Sequence, residues 1–251
     1  MNKNDLIYST VKIKAGLKDG TGFIIDFSLR KDVVALALIT NKHVVESSND
    51  IEIVLTIKKD NGELITESQK ISNYKRGYVG HDRYDLCAIS LDPVVGKLVE
   101  KNEKIVAPHL TINDVCSENE LMNSDAIEDV FVVGYPDGFI DEANNLPMAK
   151  RGVTATPLYS DFKKMKTFVA DAGVTEGNSG SPVYIKKDSG VFKLVGVIYA
   201  SKNSIVEAGF IQDNKRMDGY CVMPTGLGVA IKAFEIFELW KKVKFNYEEK
   251  E

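Results

Sequence analysis

Residues 11–58 read VKIKAGLKDGTGFIIDFSLRKDVVALALITNKHVVESSNDIEIVLTIK. Short apolar or alternating runs, rich in β-branched residues, are separated here by turn signals such as Lys18-Asp19-Gly20. The pattern continues through the turn signal Asp60-Asn61-Gly62 as far as residue 91. It predicts six strands joined by hairpins, at residues 11–15, 21–27, 33–40, 51–58, 64–74 and 86–91. Six antiparallel strands can close into a small barrel.

A second strand-rich region follows a looser, polar stretch that contains Pro93 and Pro108. Its predicted strands are residues 130–135, 150–159, 167–171, 182–186, 192–201 and 219–224. The fold class is therefore expected to be all-β, with two six-stranded antiparallel β-barrels. No residue-level repeat relates the two halves, so the expected doubling is one of architecture.

After Thr225 the apolar residues change to helical spacing, which predicts a C-terminal α-helix. We expect this helix to dock on the second barrel, and partner binding by its apolar face is the alternative. The chain is expected to form a single domain. Its predicted parts are a first barrel at 1–100, a connection at 101–129, a second barrel at 130–225 and a helix at 226–242.

The composition excludes several functional classes. The chain has 251 residues, of which 32 are basic and 36 acidic, and no long run of one sign would attract nucleic acid. The three cysteines, Cys87, Cys116 and Cys221, lack zinc-site spacing and predict neither a disulfide framework nor a metal site. No apolar run is long enough to cross a membrane, and residues 1–14 lack a signal-peptide core. We therefore expect a cytoplasmic protein, with a trimmed signal segment as the alternative.

Chemistry-bearing residues stand out at three places. The segment EGNSGSP, residues 176–182, holds Ser179 between two glycines in a tight turn before an apolar strand. Serine needs a base, and His43 follows an apolar strand, whereas His81 and His109 lie in polar stretches. Asp85 opens the strand pattern DLCAI and could orient that base, with Asp82 as a competitor. The chain order His, Asp, Ser makes a chance coincidence of the three contexts improbable.

Together these segments resemble the trypsin-like peptidase family, especially the bacterial branch that includes the high-temperature-requirement proteases. The resemblance covers about residues 10–225 and implies a chymotrypsin-like arrangement of the two barrels. It is carried by GTGFII at 20–25, ITNKHVV at 39–45, DLCAI at 85–89, VVGYPDG at 132–138, GNSGSP at 177–182, LVGV at 194–197 and GY at 219–220. Asn178 stands where digestive trypsins carry an aspartate, so activation by a new N-terminal amine is not expected.

The resemblance implies a role for each residue of the site. Ser179 would be the nucleophile, His43 the general base and Asp85 its orienting carboxylate, with the oxyanion hole formed by the N–H groups of Gly177 and Ser179. No cofactor is implied. The residues implied to form the substrate pocket are Gly173 and Val174 at its base, Glu176 at its rim, and Tyr199, Ala200 and Ser201 as the edge that pairs with substrate. We expect an uncharged or apolar residue before the cut, which Asp218 would reverse if it reached the pocket.

The predicted function is a serine endopeptidase acting on proteins or peptides through an acyl-enzyme intermediate. The alternative is a catalytically silent or partner-activated module that binds peptides or proteins, and an esterase with the same triad is a third candidate. No peptide-binding module of the high-temperature-requirement type is expected after residue 242. A constantly active cytoplasmic protease would be hazardous, so we expect restraint by a disordered serine loop, a narrow specificity or a regulatory protein partner.

Overall fold

The computed structural model describes residues 1–27, 35–106, 110–136, 141, 144–212 and 215–248, without the side chains of 210–217 and 245–248. These residues form two β-sheets and a C-terminal helix, which confirms the predicted all-β, chymotrypsin-like fold. His109 and the first two residues of the strand predicted at 33–40 lie outside the described residues. None of the helices in the described ranges is long and apolar enough to cross a membrane.

The first sheet is barrel-like and has its strands in the order β5-β4-β1-β2-β3-β7-β6. These strands are β1 Thr10–Ala15, β2 Lys18–Asp26, β3 Leu36–Thr40, β4 Ile51–Lys58, β5 Leu64–Ile71, β6 Tyr78–Gly80 and β7 Cys87–Ser90. Two short strands from the predicted connection join it: β8 Lys104–Ile105 pairs with β4, and β9 Leu110–Thr111 pairs with β2. The sheet thus contains the six predicted strands and an additional edge strand, β6.

The second sheet closes into a six-stranded barrel in the order β10-β11-β12-β15-β14-β13. Its strands are β10 Asp129–Gly134, β11 Met148–Thr154, β12 Thr167–Val174, β13 Pro182–Lys186, β14 Phe192–Gln212 and β15 Lys215–Lys232. Closure pairs each strand with two neighbours over part of its length, and β14 continues past its pairing with β13, which ends at Val197.

Within the described ranges, five α-helices connect and cover the sheets: α1 Lys3–Tyr8, α2 Lys42–Val45, α3 Asp92–Glu100, α4 Glu118–Met122 and α5 Ile236–Glu248. Short 3₁₀ turns lie at Tyr74–Gly77, Ile112–Asp114, Phe162–Lys164 and Ala233–Glu235. Helix α5 crosses the junction of the two sheets rather than covering only the second barrel. The indole N–H of Trp240 donates to the carbonyl of Phe27 (2.9 Å), and Leu239 is buried in the same cluster as Leu86.

The buried side chains form three clusters that match this architecture. One fills the first sheet and includes Ile13, Leu38 and Ile89, and another fills the closed barrel around Phe168. The third lies between the sheets and contains residues from both, together with the two terminal helices. The active site is predicted at the solvent-exposed edge of this third cluster, where the two sheets meet.

The predicted helix boundary at residue 226 is wrong. Strand β15 continues through Lys232, and α5 begins ten residues later than predicted, at Ile236. Residues 226–232 pair with β12 on one side and β14 on the other, which outweighs the helical spacing of their apolar residues. The β-branched residues Val229 and Ile231 also favour a strand. The first hairpin turn is likewise at Gly16 (φ +62°) rather than at Lys18-Asp19-Gly20, which belongs to β2.

The largest departure from the prediction is a long hairpin. Strand β14 runs far beyond residue 201, and β15 starts before residue 219, so that the two pair from Asn203–Pro224 out to Gln212–Lys215. The described residues of this hairpin, 202–212 and 215–224, are called the arm below. Most of its described side chains are exposed on both faces, so it lacks the in-out alternation that identifies a half-buried strand.

Candidate active site

His43 and Asp85 come together at the rim of the first sheet. His43 lies in α2 directly after β3, and Asp85 lies just before β7, the strand paired with β3. The imidazole Nδ1 is 2.5 Å from Asp85 Oδ2, and the backbone N–H of His43 donates to Oδ1 (3.2 Å). An ionised carboxylate can only accept, so Nδ1 carries the proton and Nε2 is left as the basic nitrogen.

The environment of Asp85 favours its charged form. Partial burial opposes ionisation, but the hydrogen bonds and charge of His43 outweigh it, and the pKa of Asp85 is lowered. The carboxylate therefore stays an acceptor well below neutral pH. The backbone of Asp85 is also held in place, because the side-chain amide of Asn41 donates to the Asp85 carbonyl (2.7 Å).

Ser179 lies in the turn between β12 and β13, where the second barrel faces the first sheet. Its carbonyl accepts from the backbone N–H of Thr21 (2.9 Å), and the N–H of Gly180 donates to the Ile198 carbonyl (2.8 Å). Gly177 and Gly180 have φ values of +78° and +86°, a region that favours glycine. The serine turn is thus fastened to both halves of the molecule.

Thr21 is the main link between the halves, and sequence reasoning gave it no role of its own. Its fully buried hydroxyl donates to the Gly177 carbonyl (3.0 Å) and accepts from the N–H of Tyr135 (3.0 Å). Its own carbonyl accepts from the hydroxyl of Thr40, three residues before His43 (2.7 Å). The sequence feature that could have identified Thr21 is a hydroxyl residue between two glycines in GTGF, because glycine neighbours allow another segment of backbone to approach closely.

The backbone N–H groups of Gly177 and Ser179 take part in no recorded hydrogen bond within the described part of the chain. Both belong to the same turn, and such N–H groups can receive a developing negative charge. The structure also records no hydrogen bond between His43 and the Ser179 hydroxyl, both of which lie in described segments. His43 and Ser179 are therefore not hydrogen-bonded to each other in this structure.

Asn178 and Lys150 hold the other side of the serine turn. The Asn178 side chain is buried, and its Oδ1 accepts from the N–H of Thr175 (3.1 Å) and from the Lys150 ammonium (3.4 Å). The same ammonium donates to the Gly173 carbonyl (2.5 Å). Lys150 lies on β11, so an adjacent strand of the barrel supports the turn. Sequence reasoning did not single out this lysine.

The residues predicted to line the substrate pocket border one stretch of β15. Val174 pairs with Gly226, and Ala200 and Ser201 pair with Val229 and Gly228. Gly173 (φ +60°) lies beside Gly226, Val174 is buried and Glu176 is exposed, while Tyr199, Ala200 and Ser201 are half-buried. Gly226 and Gly228, which lie in the predicted helix, allow residues 173–174 to pack closely on β15: a β-carbon on Gly228 would lie 2.6 Å from Val174 Cγ2.

Asp218 does not lie near these residues. It pairs with Gly209 in the arm, eight residues along β14 from Ser201. At about 3.3 Å per residue this is roughly 26 Å of strand. The alternative that Asp218 reverses the pocket's preference is therefore wrong. Asp171 does lie near them: its Oδ1 is 3.6 Å from the place that a β-carbon on Gly226 would occupy.

Comparison with known proteins decides the family. The model of the trypsin-like peptidase domain matches residues 20–197, which is more than half of the chain. The chain belongs to the trypsin-like peptidase domain family. A search of curated proteins by sequence found no match.

Solved structures of proteases resemble this trypsin-like peptidase domain in fold. The inactive form of the Rv3671c protease, from M. tuberculosis, is 18% identical with a TM-score of 0.48, covering 94% of this chain and 89% of the other. The HL collagenase is 14% identical with a TM-score of 0.48, covering 95% and 94%. The apo MamO protease domain from Magnetospirillum magneticum is 14% identical with a TM-score of 0.47, covering 92% and 95%.

His81 organises the loop of this peptidase domain that carries Asp85. Its imidazole is fully buried, and Nδ1 accepts from the backbone N–H groups of Arg83 (3.1 Å) and Tyr84 (3.2 Å). Its Nε2 lies 2.9 Å from Glu235 and 3.0 Å from Glu238, at the start of the C-terminal helix. The loop that bears Asp85 is thereby tied to the end of the chain.

The cluster of His81, Glu235 and Glu238 has the residue types of a metal site. However, Nδ1 accepts two N–H donors and so cannot carry the proton, which must then be on Nε2. A metal-bound histidine usually donates a proton from its other nitrogen, and here that nitrogen is an acceptor. The arrangement fits a neutral imidazole that donates to two carboxylates.

Replacement of His81 by phenylalanine is expected to lower the free energy of unfolding by about 3 kcal/mol, because the N–H groups of Arg83 and buried Tyr84 lose their acceptor and two carboxylates lose their donor. Asp82 is the matched control in the same loop: it is exposed and pairs with Lys242, so Asp82→Asn should leave stability almost unchanged. Urea denaturation followed by fluorescence measures both. Equal stability of the two variants would contradict a structural role for His81.

Proposed function

We propose that this chain is a serine-type endopeptidase in which His43, Asp85 and Ser179 form the catalytic triad. The observation that carries the proposal is the contact of the imidazole Nδ1 with Asp85 Oδ2 at 2.5 Å. It leaves Nε2 basic, and Thr21 links the glycine-flanked serine turn to Thr40, three residues before His43. The family supports a protein or peptide as the substrate.

The proposed reaction is acyl transfer. Ser179 Oγ attacks the substrate carbonyl carbon while its proton passes to Nε2 of His43, and the charge on the carbonyl oxygen is received by the N–H groups of Gly177 and Ser179. His43 then gives the proton to the leaving amine, and an ester to Ser179 remains. Water, deprotonated by His43, cleaves that ester and restores the serine. Asp85 orients the imidazole and stabilises its charged form throughout.

The proposed primary pocket lies between 173–176 and 199–201, floored by the glycines of β15. We keep the proposal of an uncharged or apolar residue before the cut. Asp171, rather than Asp218, is the acid that would shift this preference toward basic residues, because its carboxylate borders Gly226. Profiling with a peptide library would measure the preference.

The second candidate is a silent or partner-activated module. The observation that favours it is the lack of a recorded hydrogen bond between His43 and Ser179, both within the described residues. A partner or substrate that moved the serine turn would then complete the site. The sequence further predicts a cytoplasmic location and a bacterial origin. Restraint of the activity by a regulatory protein is also a prediction of the sequence.

The test is labelling by a fluorophosphonate probe, which reacts only with an activated serine. We expect labelling at Ser179, located by peptide mass spectrometry, and its loss in both Ser179→Ala and His43→Ala. Labelling that survives His43→Ala would contradict the proposed base. No labelling of the native protein, with labelling after addition of a partner, would favour the second candidate.

Lys150 should act as a positioning residue for the serine turn. Its ammonium makes charge-assisted hydrogen bonds to Gly173 and Asn178, so Lys150→Met should lower kcat about tenfold while changing KM less. Lys150→Arg should restore part of the loss. Arg151→Met is the control, since Arg151 is the next residue on β11 and pairs only with exposed Asp129 among the described contacts. Equal kcat values for the two methionine variants would contradict this role.

A further inference from the structure

Strand β14 has an open edge that begins beside the serine turn. Up to Val197 it pairs with β13, and the backbone of Ile198 is then bonded by Gly180 and Ser181 at 2.8 and 2.9 Å. Beyond Ile198, the described pairing of β14 is with β15 alone. In such a ladder half of the backbone N–H and C=O groups point away from the partner strand. These groups form a row along the outer edge of β14.

This open edge is continuous with the proposed substrate-binding edge. Tyr199, Ala200 and Ser201 are the residues proposed to pair with substrate backbone, and β14 continues from them into the arm without interruption. The part of the substrate that stays attached to Ser179 in the acyl-enzyme is the part on the N-terminal side of the cut. In a substrate paired with residues 199–201, the residues upstream of the cut therefore extend along the arm.

The arm is a two-stranded ribbon with exposed apolar side chains on both faces. Ile205 and Val222 are directly opposite each other and are 72% and 61% exposed, and Tyr220 beside them is 75% exposed. Val206 and Met223 lie on the other face and are also exposed. An isolated two-stranded ribbon is only marginally stable in water, and apolar side chains on both faces would be partly covered by an added strand.

We propose that the arm extends the substrate site, and that the substrate is an unfolded polypeptide bound as an extended strand over about five to ten residues upstream of the cut. This inference rests on the proposed function and names its substrate class. Ile205 and Val206 lie four and five residues beyond Ser201, or about 13 to 17 Å, so short peptides cannot reach them. Apolar substrate residues at alternating positions would pack beside these side chains.

The test compares peptides that share one cleavage site, mapped in reduced β-casein, but have four or ten residues upstream of the cut. We expect a kcat/KM about tenfold higher for the longer peptide, the effect of several cross-strand pairs. N-methylation of alternate upstream backbone nitrogens in the longer peptide should lower its kcat/KM to the value of the short peptide. One alternating set should matter more than the other, because only every second N–H faces the edge.

Side-chain variants supply the matched comparison. Ile205→Ser with Val222→Ser should lower the ratio of kcat/KM between the long and the short peptide several-fold. Val191→Ser is the control, because Val191 is 40% exposed and precedes the opposite end of β14, so the ratio should stay the same. Equal kcat/KM for the two peptides would overturn the inference while leaving the proposed function intact.

A failure of the proposed function is distinguished by binding. If no casein site is cut, labelled casein segments of 8 and 20 residues are titrated against the Ser179→Ala protein by fluorescence polarisation. Tighter binding of the longer segment, lost on N-methylation, would support the arm without catalysis. Equal binding would overturn the inference. So would a concentration-dependent dimer that disappears in the Ile205→Ser and Val222→Ser variant, since the arm would then bind a second copy of the chain.

Discussion

Replacing Ser179 with alanine is expected to lower kcat for peptide hydrolysis by at least about 10⁴-fold, because the variant lacks the atom that forms the acyl-enzyme. The fold should survive, since the turn is held by its backbone through Thr21, Gly180 and Ile198 rather than by the serine hydroxyl. Hydrolysis of unfolded casein and of peptides derived from it, together with the urea midpoint, measures the two properties on the same samples.

The control for this substitution is Ser189→Ala, in the exposed turn between β13 and β14. It should leave both kcat and stability unchanged. His43→Ala should match Ser179→Ala, and the double variant should be no worse than either, because the two residues act as a unit. Additive losses, or activity retained by Ser179→Ala, would refute the proposed nucleophile.

Replacing Gly180 with alanine is expected to lower the free energy of unfolding by about 4 kcal/mol. Its φ of +86° disfavours any side chain, and a β-carbon there would overlap the carbonyl oxygen of Thr21. The carbonyl cannot move away easily, because it accepts from the Thr40 hydroxyl. Chemical denaturation measures the loss, which should reach the whole molecule because this contact joins the two halves.

Gly190→Ala separates the cost of the positive φ from the cost of the steric overlap. Gly190 has a similar φ of +81°, but a β-carbon there would meet no atom within 4 Å. It should cost only about 1 kcal/mol, the conformational part of the effect. Equal losses for Gly180→Ala and Gly190→Ala would mean that close packing of the serine turn against Thr21 contributes nothing to stability.

Local pattern was sufficient for much of the fold. Strands at residues 51–58 and 182–186 were predicted with the bounds that the structure has, because each is a short β-branched run flanked by turn residues. His43 and Asp85 could be singled out because one follows an apolar strand and the other precedes one. The pairing of those two strands in the sheet is what makes them neighbours.

The wrong predictions arose where local pattern was ambiguous. Residues 227–231 have apolar spacing compatible with a helix, and only pairing with β12 and β14 makes them a strand. The arm was shortened in the prediction because both of its faces are exposed, so no alternation marks its length. Lys150, Thr21 and His81 were missed since their partners are 28, 156 and 154 residues away.

The sequence by itself determined the all-β class, the order of the strands along the chain and the three segments that carry His43, Asp85 and Ser179. These follow from short-range periodicity and from residue types that have few other uses in such turns. The tertiary structure alone decided how the serine turn is fastened, that Asp171 rather than Asp218 lies beside Gly226, and how far β14 extends. Those features depend on hydrogen bonds and packing between residues far apart in the chain, and the free energy of such contacts has no local signature.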